Sequence, residues 1–220
     1  VDGLVVSSRL ADPSIDWLTR LGKPVVFFGR LGHAGVHSVG ADGHQAAFMV
    51  GRHLMDLHHR RVAYVGFPAS RWNGDRVRGL TKALGESGHS LTVHDIDAPT
   101  PEAGEAVASQ VFLGEQRPDA VVAYNDLVAL GLMHAARALG LAIPQTVSIT
   151  GFDDIVYGRY MDPPLTTVAM NSEQMGAVAM QRLIQLIDGK LTSPFDETIA
   201  PRLVPRGTTC MREAAAPVAG

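Results

Sequence analysis

Acidic and amide side chains follow the ends of two predicted strands. Residues 147–152 are mostly apolar or β-branched, which predicts a buried parallel strand, and Asp153 and Asp154 come directly after it. Asn125 follows a second apolar run at 120–124. Open α/β sheets bind ligands at the carboxyl ends of their strands, so we predict that Asn125 and Asp153 contact a small polar ligand. A helix-cap or turn role is the alternative for each, and it is the role predicted for Asp126 and Asp154.

A cation and an aromatic side chain are predicted at the same edge. Arg76 lies in the first turn of a predicted helix, where a positive charge is unfavourable beside the helix dipole. We therefore expect it to have a partner, either a ligand oxygen or Asp153, with a solvated surface arginine as the alternative. Trp72 stands in the preceding loop, where it would stack on the apolar face of a sugar ring or anchor a lid or core.

Other kinds of chemistry have less support in the sequence. Asp153 and Asp154 are adjacent on a segment predicted to be extended, so they would point to opposite faces and would not act as a catalytic pair. His33 and His37 have no acid at the spacing of a zinc site. His58 and His59 stand at a predicted helix end beside Arg60 and Arg61, where cations complement the helix dipole, so neither pair predicts a metal site. No motif of a serine hydrolase, a P-loop or a dinucleotide site occurs. We predict no metal, no cofactor and no enzymatic activity.

Composition limits the class of protein. The 220 residues are 46% hydrophobic, enough for one large or two small cores. The net charge is −3 and the basic residues are scattered, so the chain lacks the positive surface typical of nucleic-acid binding. Cys210 is the only cysteine, which excludes an internal disulfide and fits a reducing compartment such as the cytoplasm. No apolar run reaches membrane-spanning length, so we expect no membrane contact.

Predicted strands and helices alternate along the whole chain. This alternation predicts an α/β fold with parallel sheets. A Gly- and His-rich break at 29–43 and a Pro-rich break near Pro163 favour two sheets joined by several crossovers, with a ligand cleft between two lobes. The predicted strands cover residues 1–6, 25–28, 36–41, 62–67, 91–96, 120–124, 147–152 and 199–204, and a last long helix covers about 172–187.

Several motifs, in order, resemble the effector-binding core of the lactose-repressor (LacI) family of transcription regulators. They include HLMDLHHRRVAY at 53–64, RVRGL at 76–80, ND at 125–126, GFDD at 151–154 and PPLTTV at 163–168. The similarity extends to about Thr209. It implies two Rossmann-like lobes of the type I periplasmic-binding-protein kind, joined by crossovers near 41–42, 170–171 and 200–201. We expect one lobe at 1–41 plus 171–200, incomplete at its start, the other at 42–170 plus 201–210, and a flexible tail at 211–220.

The resemblance also implies roles for individual residues. In the family, the residues that match Arg76, Asn125 and Asp153 hold the effector, commonly a sugar. We predict that Trp72 packs on this ligand and that the other lobe contributes a lining, formed by Ser7, Gly29 and Met170. Two positions depart from the family pattern, since Gly29 replaces an acid and Met170 replaces a glutamine, and both disfavour a lactose-like ligand. His58 stands where the family usually has glycine.

The predicted function is therefore the effector-sensing and dimerising core of a cytoplasmic LacI-type regulator. We expect a homodimer formed through residues 130–138 and 155–160, and operator DNA bound by an N-terminal helix-turn-helix segment that this chain lacks. The alternative is a periplasmic sugar-binding protein that serves a transporter, because it shares the fold and the cleft. The residues upstream of Val1 would distinguish them, through a helix-turn-helix or a secretory signal.

Overall fold

The computed structural model describes residues 1–7, 12–33, 35–114 and 116–212. Over this part, helices and strands alternate, and the chain divides into two compact units. The small unit is Val1–Asp42 with Met170–Pro201, and the large unit is Gly43–Ala169 with Arg202–Gly220. Each unit contains a sheet that is wholly or mainly parallel, so the predicted α/β class is confirmed.

The elements, in chain order, are β1 (Leu4–Ser7), α1 (Asp12–Thr19), β2 (Val25–Phe28), β3 (His37–Ala41), α2 (Gly43–Asp56), β4 (Val62–Gly66), α3 (Asn73–Gly85), β5 (Leu91–Asp95), α4 (Pro101–Phe112), β6 (Ala120–Ala123), α5 (Asp126–Ala138), β7 (Ser148–Phe152), a 3-10 segment (Val156–Tyr160), β8 (Thr166–Ala169), α6 (Ser172–Ile187), β9 (Asp196–Ile199) and β10 (Arg202–Val204). None of the helices in the described ranges is long and apolar enough to cross a bilayer.

The small unit has a parallel sheet in the order β1-β2-β3-β9. Successive residues of β2 point to opposite faces of the sheet. Val26 therefore joins the cluster that α6 forms through Met175, Ala179 and Leu183. Its neighbours on β2 join a second cluster, with Ile15 and Leu18 of α1. Both faces of the sheet are thus covered, as a parallel sheet requires.

The large unit has a six-stranded sheet in the order β10-β8-β7-β6-β4-β5. It is parallel except for β10, which pairs antiparallel with β8. Strands β4, β6, β7 and β8 are buried along their whole length, whereas the edge strand β5 is partly exposed. Helices α4 and α5 pack closely, because a Cβ on Gly131 would lie 1.9 Å from the carbonyl oxygen of Pro101.

Three local predictions were wrong. The single strand predicted at 199–204 is two strands in different sheets, β9 and β10, because Pro201 has no N–H with which to continue a ladder. The apolar spacing after Asn125 also predicts a helix that buries Ala135 and Leu139, but α5 packs on α4 and buries Met133 and Ala136 instead. The tail predicted from residue 211 is anchored at its start, since Arg212 donates to the carbonyl oxygens of Gln145 and Thr146. The rest of that tail, 213–220, lies outside the described residues.

Candidate functional site

The carboxyl edge of the large unit's sheet brings together three of the predicted site residues. Asn125 follows β6 and Asp153 follows β7, and these two strands are hydrogen-bonded neighbours. Arg76 approaches both strand ends from the first turn of α3. Its guanidinium carbon lies 4.3 Å from the ring centroid of Tyr124 and 4.5 Å from that of Phe152, the residues that precede Asn125 and Asp153.

Arg76 is a fixed and desolvated cation. Its side chain lies against two aromatic rings, and its Nη1 donates to the carbonyl oxygen of Tyr124. The residue is only 6% exposed, and its Nε is buried without a hydrogen-bond partner in the described structure. The solvated-surface alternative for Arg76 is therefore wrong. The Nε–H of Arg76 can therefore still donate to an acceptor. Leaving a buried donor of this kind unpaired costs about 1–3 kcal/mol.

Two tyrosines support Arg76, and neither was predicted from the sequence as a site residue. The hydroxyl of Tyr124 donates to Ser70 Oγ at 2.7 Å, and its ring meets Phe67 edge-on at 5.7 Å. Tyr64 is fully buried, and its hydroxyl donates to Asn73 Oδ1 at 2.9 Å. Burial raises the pKa of Tyr64 to about 12, although the positive charge of Arg76 acts to lower it. The sequence signal that could have identified them is a tyrosine within each of two predicted buried strands, because a buried phenol hydroxyl needs a hydrogen-bond partner.

Asn125 caps α5. Its Oδ1 accepts the backbone N–H of Val128 at 2.9 Å, and its Nδ2 donates to the carbonyl oxygen of Pro99 at 3.3 Å. The helix-cap alternative therefore accounts for the amide oxygen. Because an asparagine amide has two donor hydrogens, one hydrogen remains for a ligand, and ligand contact by Asn125 stays a prediction.

The acids after β7 do not lie on the predicted extended segment. Asp153 has φ 107° and Asp154 has φ 53°, so the chain turns sharply here. Asp154 is largely buried and accepts hydrogen bonds from Arg206 and Arg159, which agrees with its predicted turn role. Asp153 is exposed. A non-glycine residue at such a φ costs about 1–3 kcal/mol, and strain of this kind concentrates at functional sites.

Asp126 interacts electrostatically with these two acids. Its two carboxyl oxygens accept hydrogen bonds from Thr167 Oγ1 at 2.6 Å and from the N–H of Ile155 at 2.8 Å. Burial raises its pKa to about 7, which these hydrogen bonds oppose and the charges of Asp153 and Asp154 reinforce. Asp126 thus joins α5 to β8 and to the 3-10 segment. A Cβ on Gly151 would lie 2.3 Å from Asp126 Oδ1, so the glycine of the GFDD motif makes room for this carboxyl.

The remaining predicted residues lie around this edge or in the small unit. Trp72 is half-buried and immediately precedes α3, and its carbonyl oxygen accepts the N–H of Arg76 at 3.3 Å. Ser7 ends β1, and Gly29 follows β2 with φ 110°. Met170 follows β8 and opens the second segment of the small unit. The side chain of Ser7 lies outside the described part, so the geometry of a ligand contact there stays a prediction.

Two of the histidines considered for a zinc site, His37 and His59, contact other side chains. His37 packs on the ring of Phe195 at 5.0 Å, and His59 Nδ1 lies 3.3 Å from Asp119 Oδ1. Among residues 1–7, 12–33, 35–114 and 116–212, no group of three or more His, Cys, Asp or Glu side chains is arranged to hold a metal ion.

Comparison with known proteins identifies the family of this fold. The model of the periplasmic binding protein-like domain family matches residues 52–209. The HTH-type transcriptional repressor PurR of Edwardsiella ictaluri is 33% identical over 168 residues, which are 74% of this chain and 48% of that protein. The chain therefore spans about half the length of the curated relatives that it matches.

Solved structures of transcriptional regulators share the fold. A sugar-binding transcriptional regulator of the LacI family from Escherichia coli, complexed with phosphate, is 28% identical, with a TM-score of 0.84 over 96% of this chain and 78% of that one. The transcriptional regulator CelR in complex with cellobiose is also 28% identical, with a TM-score of 0.85 over 94% of this chain and 66% of that one. The chain belongs to the periplasmic binding protein-like domain family, and within it to the effector-binding cores of the LacI type.

Proposed function

We propose that this chain is the effector-sensing core of a LacI-type transcription regulator and that it binds a small carbohydrate at the edge formed by Arg76, Asn125 and Asp153. The observation that carries the proposal is the buried guanidinium of Arg76, held on Tyr124 and Phe152 with its Nε unpaired, next to the exposed Asp153. The similar proteins support it, because they are a transcriptional repressor, a sugar-binding regulator and a regulator in complex with cellobiose.

The chemistry of these side chains suits a polyhydroxylated ligand. Each hydroxyl of a sugar can donate and accept a hydrogen bond, so a sugar pairs with donors and acceptors placed side by side. Arg76 can only donate and an ionised Asp153 can only accept, while Asn125 keeps one donor hydrogen. Trp72 would add an apolar face for the sugar ring. Ser7, Gly29 and Met170 are predicted to contact the same ligand. Ser7 ends β1, Gly29 follows β2, and Met170 begins the second segment of the small unit.

The chain passes between the two units at three places, Asp42–Gly43, Ala169–Met170 and Pro201–Arg202. We propose that these junctions are the hinges on which a ligand closes the two units, as in hinge-type binding proteins. Small-angle scattering should give a smaller radius of gyration at saturating ligand. An unchanged curve in the presence of a ligand that binds by calorimetry would contradict the hinge.

Calorimetry with a panel of mono- and disaccharides, cellobiose included, tests the proposed site. For a sugar that binds, Asp153→Ala should weaken the affinity by about 1–3 kcal/mol, because the sugar hydroxyl that donates to Asp153 is left unpaired in the variant. The matched control is Glu105→Ala, which removes an exposed acid that pairs with His134 on the surface of the large unit. Equal affinities for wild type and Asp153→Ala would refute the site, and failure of the whole panel would refute a carbohydrate effector.

The whole regulator is proposed to act in the cytoplasm as a homodimer that binds operator DNA through an N-terminal segment. The net charge of −3 supports DNA contact elsewhere than on this chain, because DNA affinity draws on clustered Lys and Arg. The exposed Tyr157 and Tyr160 of the 3-10 segment, 68% and 82% exposed, support a dimer contact there. A gel shift on the gene's own promoter should show binding by the full-length protein and none by this chain. Specific binding by this chain alone would overturn the proposal.

A further inference from the structure

A closed network of four hydrogen bonds at the carboxyl edge of the large unit includes Ser70, which was not predicted as a site residue. Ser70 Oγ accepts the hydroxyl of Tyr124 at 2.7 Å and the N–H of Trp72 at 3.3 Å. The carbonyl oxygen of Trp72 accepts the N–H of Arg76 at 3.3 Å, and Nη1 of Arg76 donates to the carbonyl oxygen of Tyr124. These four residues, here called the Ser70 network, connect the loop before α3 to the end of β6.

The hydroxyl of Ser70 is the one side-chain acceptor in this network, since the other two bonds end on backbone carbonyl oxygens. The backbone of Ser70 is held separately. Its N–H donates to the carbonyl oxygen of Phe67 at 3.0 Å, and its carbonyl oxygen accepts the N–H of Asn73 at 3.1 Å. Removing the hydroxyl therefore keeps the turn at 67–73 and opens the network at a single atom.

Tyr124 transmits the effect of this hydroxyl to Arg76. Tyr124 is only 6% exposed, and a buried phenol hydroxyl needs a hydrogen-bond partner, which Ser70 supplies. The guanidinium carbon of Arg76 lies 4.3 Å from the centroid of the Tyr124 ring, and Arg76 also donates to the backbone of Tyr124. A change in the position of the Tyr124 ring would therefore change the position of the guanidinium.

We propose that Ser70 is a positioning residue of the carbohydrate site, whose hydroxyl fixes the Tyr124 ring against Arg76 and fixes Trp72 relative to both. Its role in binding rests on the proposed function, whereas the contacts themselves belong to the ligand-free chain. Side chains that are already fixed lose less conformational entropy when a ligand binds, so the network favours binding without a contact between Ser70 and the sugar.

Two signals of the ligand-free chain report the two sides of the network. The buried Nε–H of Arg76 lies near the rings of Tyr124 and Phe152, so ring currents shift its NMR signal and burial slows its exchange with deuterium oxide. The fluorescence of Trp72, in a Trp17→Phe background, reports how readily acrylamide reaches the indole. In Ser70→Ala, the Arg76 signal should move toward that of a solvated arginine and exchange faster, and acrylamide should quench Trp72 more strongly.

Further variants separate positioning from a general loss of stability. Ser70→Thr keeps a hydroxyl and should restore both signals. Tyr124→Phe should change the Arg76 signal as Ser70→Ala does, and the double variant should add nothing, because both substitutions break the same hydrogen bond. Ile149→Val, at a buried position of β7 outside the network, removes a comparable amount of stability. It should leave both signals unchanged, as should Ser109→Ala at an exposed position of α4.

Calorimetry with the panel of mono- and disaccharides, cellobiose included, measures the effect on binding. Ser70→Ala should weaken the affinity about tenfold and Ser70→Thr should weaken it less, since only the first loses the acceptor. An unchanged affinity in Ser70→Ala overturns the proposal. So do Arg76 and Trp72 signals that match the wild type in Ser70→Ala, or that change as much in Ile149→Val. If no sugar binds, the proposed carbohydrate function fails, while the two ligand-free signals still decide the role of Ser70.

Discussion

Asp126 allows a quantitative test of the carboxyl edge of the large unit. Burial is the main cause that raises its pKa from 3.8 to about 7, and the charges of Asp153 and Asp154 act in the same direction. In the unfolded chain the carboxyl ionises near its ordinary pKa of 3.8. Between this pH and about pH 7, the folded state therefore holds a proton on Asp126 that the unfolded state has lost. A shift of about three pH units corresponds to about 4 kcal/mol of unfolding free energy. This contribution is fully present below about pH 4 and is lost as the pH rises through about 7.

Asp126→Asn should remove this pH dependence. An asparagine reproduces the protonated carboxyl, because its oxygen can accept from Ile155 N–H while its amide donates to Thr167 Oγ1. At pH 4 the variant should therefore match the wild type. At pH 8 it should be more stable by up to about 4 kcal/mol, since the wild type must there either bury a charge or take up a proton.

Urea denaturation at pH 4.5, 6 and 8 measures the difference. Trp72 lies in the large unit and Trp17 in the small one, so fluorescence in a Trp17→Phe background reports the unit that contains Asp126. Asp16→Asn, at an exposed position of α1, is the control for the general effect of removing one negative charge. A difference that stays the same at all three pH values, or a variant that is less stable at pH 8, would refute the reasoning.

Two substitutions, each with a control variant, probe local strain and packing. His58 has φ 63°, so His58→Gly should raise the unfolding free energy by about 0.5–1 kcal/mol in a thermal melt, whereas His134→Gly inside α5 should lower it by about 1 kcal/mol. Gly131→Ala should lower it by about 1–3 kcal/mol, because its Cβ would overlap the carbonyl oxygen of Pro101 and force α4 and α5 apart. Gly85→Ala has open space around its Cβ and should leave the melting temperature nearly unchanged. Equal melting temperatures for Gly131→Ala and Gly85→Ala would contradict the close helix packing.

Local sequence signals predicted the elements well where one residue type has one strong role. The helix-cap alternative for Asn125, which stands before an apolar helix, is the role that the structure shows for its amide oxygen. The apolar periodicity of 172–187 predicted the bounds of α6. The split into β9 and β10 escaped prediction, because both short segments look extended and only their partners, β3 and β8, distinguish them.

The surroundings of the candidate site depend on contacts between distant parts of the chain. Arg76 was predicted to need a partner, but its partners Tyr124 and Phe152 come from strands whose neighbouring positions are set by sheet order. The turn at Asp153 and Asp154 likewise ends in a distant contact, since the N–H of Ile155 donates to the carboxyl of Asp126. Such contacts leave no periodic pattern in the sequence, so a single sequence predicts which residues converge and not how they are held.

The two late strands also affect how the chain folds. The sheet of the small unit takes β9 beside β3, and the sheet of the large unit takes β10 beside β8, although both strands come after residue 195. Thr208 then holds the large unit together, since its hydroxyl donates to the carbonyl oxygen of Ile149 and accepts the N–H of Thr166. Pairing β9 with β3 closes a loop of more than 150 residues, a non-local contact that slows folding. On the ribosome, neither sheet can be completed before almost the whole chain has emerged, so both units reach their final form together and late.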